Sequence, residues 1–348
     1  MRTINNCMGG IRWLLLCGLF FLCRTGMAQT EEFKPSCRLV FEMHKNGKTQ
    51  ALRYAASNPL DKKDTLVTTL VIFVHGIYRD GQAYYEHAED MARSAGKRKQ
   101  TLVIAPQYAN EDELDHYHLG NDFLFWKKAA WKDGYTSVST PNRPQAEKIS
   151  SYEVMDSLLT SLLSSGNFPH IKTVVVAGHS AGGQFVQRYS ATTPLPDLLT
   201  GFRFRFIVMD PSSYMYPDER RLLSNNRCAV PDTSGCPEYN RYPKGLEQLN
   251  TYARAMGAAN IRRNILHRDI IFLLGEKDVR TDALNLDITC AANLQGAFRL
   301  ERGLNYVAYL NTFPEYGDRK KYDIIPDTGH NGDKIINSGA ARKWIYGK

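Results

Sequence analysis

The chain has 348 residues, 43% hydrophobic and 23% charged, with a formal net charge of +8. The positive excess is scattered, with no basic run beyond Lys97-Arg98-Lys99 and Arg319-Lys320-Lys321, so nucleic-acid binding has no support. No internal repeat or low-complexity tract interrupts it, and the length suits one large α/β domain with decorations.

Taken from the start, Arg2 and Arg12 precede an apolar stretch over 13–23, and Gly26-Met27-Ala28 offers small residues where a signal peptidase reads. That stretch is far shorter than the about 20 residues a membrane span needs. Residues 1–28 are therefore expected to be a signal peptide cleaved after Ala28, leaving a secreted or periplasmic product with no stable membrane span and a single domain over 29–348. The leader carries Arg2, Arg12 and Arg24 and no acid, so its removal lowers the formal charge to +5. Cys7, Cys17 and Cys23 leave with it, and Cys37, Cys228, Cys236 and Cys290 remain. An even number in an oxidising compartment suggests two disulfides. Cys228 and Cys236 are close enough in sequence to staple a loop, and pairing of Cys236 with Cys290 is the open rival.

Short apolar runs bounded by turn residues then recur at 66–74, 101–105, 173–177, 204–209, 269–274 and 322–325. Helical patterns lie between them, at 82–95, 151–163 and 291–309. Strands alternating with helices predict a mostly parallel, doubly wound sheet with helices on both faces. Two long stretches, 110–144 and 211–258, are expected to be loop insertions near the active site. In such sheets a site forms at the carboxyl ends of the strands, so the residues just after each run are the ones to inspect.

After the third central run comes Gly178-His-Ser-Ala-Gly182, and after it a helical pattern in which Phe185, Val186 and Tyr189 face one side. A serine between small residues at a strand-to-helix corner is a nucleophile elbow, with its hydroxyl thrust out at a helix N-terminus. After the 269–274 run comes Gly275-Glu-Lys-Asp278, and after the last run Asp327-Thr-Gly-His330. Ser180, Asp278 and His330 thus fall in the order serine, acid, histidine, each at a strand end. A serine hydroxyl is a poor nucleophile without a base, which His330 would supply, and Asp278 would hold the other ring nitrogen. Asp282 is the competing acid, but it drifts towards the next helix; His44, His87, His116, His118 and His267 are less well placed than His330. Backbone N–H groups of Ile77 and Ala181 are the candidate oxyanion donors. His75 and Gly76 would brace the loop that carries Ile77, and Gly178 and Gly182 would let the elbow close. Tyr78, His179, Trp126 and Tyr214 are candidate substrate contacts. The His116-x-His118 tract beside acids lacks a third ligand at motif spacing, so neither a metal nor a cofactor is expected.

With these residues in place, the chain resembles the α/β-hydrolase superfamily. More narrowly it resembles secreted or periplasmic esterase-type hydrolases related to polyhydroxybutyrate depolymerases and feruloyl esterases. The stretches that carry the likeness include VHGIYRDGQAYY (74–85), VVAGHSAGGQFVQRY (175–189), LLGEKD (273–278) and DTGHNG (327–332). The resemblance implies a Ser180, Asp278, His330 triad acting on a small-molecule or polymeric ester. Two other functions fit the same residues: an amidase or peptidase with that triad, and a non-catalytic ligand-binding protein on a hydrolase shell.

Overall fold

The computed structural model describes residues 37–223, 226–317 and 321–347; the expected signal peptide lies outside them. Eight strands form one sheet: β1 (Leu39–Lys45), β2 (Lys48–Ala56), β3 (Thr69–Val74), β4 (Thr101–Gln107), β5 (Thr173–His179), β6 (Arg203–Met209), β7 (Ile270–Gly275) and β8 (Tyr322–Ile325). Their order across the sheet is β1-β2-β4-β3-β5-β6-β7-β8. From β4 to β8 every pairing is parallel, whereas β2 runs antiparallel to both β1 and β4. All six strands expected from the apolar runs are present.

The β1–β2 hairpin was not expected from those runs. Its strands are half polar, but Asn46-Gly47 between them is a two-residue turn with φ of 51° and 73°, the left-handed pair that such hairpins require. The signal was therefore in the sequence, as a turn and not as an apolar run.

The central strands are apolar on both faces because both faces are covered. Leu70, Ile72, Val74, Val174, Val176, Phe206, Val208 and Phe272 point into one buried cluster. The alternate residues Val71, Phe73, Val175, Ala177, Ile207, Met209, Ile271 and Leu273 point into another. Each such side chain contributes roughly 1.5–3 kcal/mol on burial. The first cluster is closed by helices α2 (Ser151–Ser164), α3 (Ala181–Thr192), α4 (Ala258–His267) and α5 (Arg299–Leu310), and the second by α1 (Gly81–Ser94) and α6 (Gly339–Tyr346). The single helix expected over 291–309 is broken into Cys290–Asn293 and α5. Gly296 at φ 142° and Phe298 in extended backbone interrupt it.

The two insertions are packed segments. Phe125, Trp126 and Trp131 are buried in the first, Tyr214, Tyr216, Tyr239 and Tyr242 in the second. One disulfide joins Cys236 to Cys290, tying the second insertion to the segment after β7. The Cys228–Cys236 staple is not formed, and Cys228 and Cys37 are thiols. Cys37 sits in the core, where its Sγ lies 3.6 Å from the Ala105 carbonyl oxygen, and burial pushes its pKa up to about 12.

Candidate active site

β5 ends at His179, and Ser180 turns the chain straight into α3 with φ 57° and ψ −117°. That conformation costs a non-glycine residue of order 1–3 kcal/mol, and the surroundings hold it. The Ser180 N–H donates to Met209 O at 2.9 Å, and Ser180 O accepts from Gln184 N at 3.0 Å. The flanking glycines are needed for space. A Cβ on Gly182 would lie 2.2 Å from Val74 O and 2.6 Å from His75 O, and one on Gly178 would lie 2.5 Å from the Gly182 backbone. The elbow can thus press against the loop after β3 only if both stay glycine.

Two other strand ends complete the group. His330 Nε2 lies 2.9 Å from Ser180 Oγ, and His330 Nδ1 lies 2.7 Å from Asp278 Oδ2. Asp278 is 3% exposed, and the Arg299 guanidinium, equally buried, stands 3.5 Å from its other oxygen. The Asp278 carboxylate accepts from Nδ1, which keeps the ring hydrogen there and leaves Nε2 facing Ser180. Asp282 is exposed and pairs with Arg280 at 3.0 Å, away from His330.

The loop after β3 is braced from beneath. Tyr108 N–H donates to His75 Nε2 at 3.0 Å, so the ring hydrogen sits on Nδ1 and is donated to Gly76 O at 2.8 Å. Complete burial, with Arg79 nearby, lowers the His75 pKa to about 3, so the ring is neutral. Gly76 leaves room for the Tyr84 hydroxyl, which would be 2.9 Å from a Cβ there. Three residues that the sequence reading missed finish the brace. Arg79 donates to Ile77 O at 3.2 Å and to Glu113 Oε2 at 2.7 Å, while Gln107 Nε2 donates to Glu113 Oε1 at 3.0 Å and to Arg79 O. Glu113 also closes a capping box with Asn110 at the helix Glu111–His116. That box, Asn-x-x-Glu, was the available signal.

His179 and Asp210 stand beside the group. His179 Nδ1 faces the Tyr84 hydroxyl at 2.9 Å, and its ring centroid is 4.5 Å from that of His330. Burial first, then His330, keeps the His179 pKa well below its usual value. Asp210, fully buried, accepts from Gly275 N at 2.9 Å through Oδ1, while Oδ2 has no hydrogen-bond partner among the described residues. Burial and the neighbouring Asp278 raise its pKa well above the carboxylate range, so Asp210 is held as the neutral acid. His179, Asp210 and His330 offer one ligand atom each within 4.8 Å of one another. Both ring nitrogens of His330 are already engaged by Ser180 and Asp278, which leaves too few uncommitted ligands for an ion.

Two cavities open on Ser180. One, of about 320 Å³, lies on the His330 side and is lined by Tyr78, Tyr84, His179 and Leu284 among others. The other, of about 250 Å³, lies on the Ala181 side and includes Ile77, Lys132 and Gln184. Ile77 lines both cavities and Ala181 lines the second, and Tyr78, half exposed, accepts from Asn285 Nδ2 at 3.0 Å at the cleft rim. Trp126 and Tyr214 do not reach it. Both are fully buried: the Trp126 indole donates to Tyr135 O at 2.9 Å, and Tyr214 stacks on Tyr306 with centroids 4.5 Å apart. Aromatic area of this size is worth more in the core than at a cleft wall, and the insertions use it to dock. Lys132, Gln184, Ser212, Asn285 and Asp287 take the places expected for aromatics. A larger cavity of about 820 Å³ lies against β1, β2 and α1, among Arg53, Tyr54 and Tyr85, and Ser180 and His330 do not line it.

No family model and no curated protein sequence matches the chain. Among solved structures, poly(aspartic acid) hydrolase-1 from Sphingomonas sp. KT-1 superposes with TM-score 0.60 at 22% identity, covering 90% of this chain and 100% of that one. A poly(3-hydroxybutyrate) depolymerase, LpqC from Bordetella parapertussis, gives TM-score 0.59 at 20% identity, covering 90% of this chain and 92% of that one. The fold is that of the α/β-hydrolases. The strand order with its antiparallel β2 and the serine at the end of β5 belong to that architecture.

Proposed function

We propose that the protein is a serine hydrolase of carboxylic esters that works through an acyl-enzyme. The observation that carries this reading is the continuous chain from Ser180 Oγ to His330 Nε2 at 2.9 Å and from His330 Nδ1 to Asp278 Oδ2 at 2.7 Å. Ser180 gives its proton to His330 Nε2 as Oγ attacks the ester carbonyl carbon, and the imidazolium is stabilised by the Asp278 carboxylate. The carbonyl oxygen becomes anionic, and the N–H groups of Ile77 and Ala181 receive it, the second at the positive end of α3. On collapse, His330 Nε2–H protonates the leaving alkoxide. Water then repeats the sequence on the acyl-enzyme, and Ser180 regains its proton. Neutral His179 beside His330 spares the forming imidazolium a second positive charge.

No helix among the described residues is long and apolar enough to cross a membrane. The disulfide between Cys236 and Cys290, together with the leader-like segment 1–28, supports export to an oxidising compartment.

The test is labelling of the protein with a fluorophosphonate, with the modified residue located by mass spectrometry. Label on Ser180 in the wild type, lost in Ser180→Ala and His330→Ala, is the expected result. A folded protein that takes no label would defeat the reading and favour a ligand-binding role. The same acyl group offered as ester and as amide then distinguishes esterase from amidase.

A further inference from the structure

The cavity on the Ala181 side of Ser180 is lined by Lys132, Gln184, Ser212 and Asn285 and by one carboxylate, Asp287. Lys132 Nζ bonds Asp133 Oδ2 at 2.7 Å, and the other oxygen of Asp133 faces the fully buried Arg188 at 3.4 Å. Lys244 Nζ bonds Asp287 Oδ2 at 2.9 Å. Burial alone would raise the Asp287 carboxyl, but Lys244 and the Thr289 hydroxyl hold its pKa at about 2, so it stays ionised. Among the described residues, the carboxylates in ion pairs with Lys132, Lys244 and Arg188 are Asp133 and Asp287. Behind Asp287, the buried Arg302 donates to its main-chain oxygen at 2.8 Å and has Glu301 beside it, which leaves the imbalance unchanged. A buried group of one sign in excess is costly unless something of opposite charge joins it.

Gln184, which is 4% exposed, points to what joins it. Its Oε1 accepts from Arg188 at 3.4 Å and from Ser213 Oγ at 3.1 Å. Arg188 can only donate, so the amide orientation is set, and Nε2 is turned from Arg188 with no partner among the described residues. Lys132 Nζ, with only one of its three hydrogens engaged by Asp133, and the Ser212 hydroxyl line the same cavity. Three donors converge beside the nucleophile, and the positive excess belongs to the ion pairs around the cavity, since Arg188 and Lys244 stand behind its lining.

The side of Ser180 decides which part of a substrate goes there. His330 must protonate the leaving group, so the alcohol lies in the cavity that His330 lines. The acyl chain lies opposite, in the 250 Å³ cavity with Lys132 and Gln184. We propose that this cavity binds a carboxylate at the far end of the acyl group, so that the preferred substrates are half-esters of short dicarboxylic acids. The proposal rests on the serine-hydrolase reading above. Lys132 and Gln184 are specificity residues in it, and the chemical step is unchanged: the ester C–O bond breaks, water supplies the new oxygen, and the remote carboxylate takes no part.

The test compares monobenzyl glutarate with benzyl pentanoate, which share the leaving group and the chain length and differ in the terminal charge. Wild-type kcat/KM should favour the half-ester by roughly tenfold or more, the worth of one charge-assisted contact. Lys132→Met should abolish that preference by raising KM for the half-ester far more than for benzyl pentanoate, and Gln184→Leu should weaken it. Equal kcat/KM for the two esters in the wild type, or an equal loss on both in Lys132→Met, would overturn the proposal, as would Ser180 that takes a fluorophosphonate while the half-ester is not hydrolysed. A wild type that neither labels nor turns over either ester would instead defeat the hydrolase reading, and the acyl-site assignment would fall with it.

Discussion

The two sides of the cleft around Ser180 are built on different principles. On the His330 side, Ser180, Asp278 and His330 follow the ends of β5, β7 and β8, and their geometry is inherited from the parallel sheet. On the Ala181 side, Lys132, Ser212, Lys244 and Asp287 come from segments that join the sheet elements, held by aromatic packing, ion pairs and one disulfide. In the proposed hydrolase the first side is a regular framework that would place the chemistry, and the second an irregular wall that would select the substrate. Similar frameworks can therefore carry different walls, and a fold likeness at about 20% identity informs the first and not the second.

That contrast can be broken most severely at the framework. Ser180→Ala or His330→Ala should lower kcat on an uncharged ester by roughly 10⁶-fold, and Asp278→Asn by roughly 10⁴-fold, measured on protein with an unchanged circular dichroism spectrum. A small effect of Asp278→Asn would mean that Asp210 takes over as the acid.

The wall is sharpened by removing its staple. Cys236→Ser opens a loop with sequence separation 54. Chain entropy puts the loss near 4 kcal/mol, read by chemical denaturation under oxidising conditions. Kinetically, KM should rise while kcat on a neutral ester stays close to wild type. A fall in kcat with KM unchanged would show that the wall and the framework are not separable.

A smaller effect tests the brace beneath Ile77. His75 stays neutral in the folded protein down to about pH 3, whereas in the unfolded chain it takes a proton near the ordinary value of 6.5. Its contribution to stability is therefore fully present above pH 6.5 and is lost as pH falls towards 3. His75→Gln can keep one donor and one acceptor but does not titrate. Its unfolding free energy should decline less steeply across that window, by about 1.4 kcal/mol per pH unit. Parallel slopes for the two proteins would show that His75 is not buried neutral.

Asp210→Asn should change least. The amide reproduces a protonated carboxyl that accepts from Gly275 N, so kcat and melting temperature at neutral pH should stay near wild type. Asp210→Ala, by contrast, leaves the Gly275 N–H without its acceptor and should cost about 1–3 kcal/mol. Asp210→Asn as damaging as Asp278→Asn would mean that Asp210 works as an anion.

Much of the framework was legible in the residues because its signals are local. The unbroken apolar runs mark strands covered on both faces, and Gly178-His-Ser-Ala-Gly182 marks a corner where only small neighbours fit. The acid and the histidine followed from the rule that sites gather at strand ends. The wall was read less well. Trp126 and Tyr214 were expected at the substrate because they lie in insertions, yet they are core residues; burial of an aromatic depends on what packs against it, which no nearby residue announces. Cys236 pairs with Cys290 and not with Cys228, because a disulfide answers to distance in space.

By itself, then, the sequence determined a mostly parallel α/β sheet and the serine, acid and histidine at its strand ends, since hydrophobic period and turn chemistry act within a few residues. Tertiary structure alone decided the rest. The Arg79–Glu113 brace spans 34 positions, the Lys244–Asp287 pair spans 43, and Lys132 meets Ser180 across 48. Charge pairing, cavity shape and the donors that face a ligand arise only when distant segments are brought to hydrogen-bond distance, and that is a property of packing.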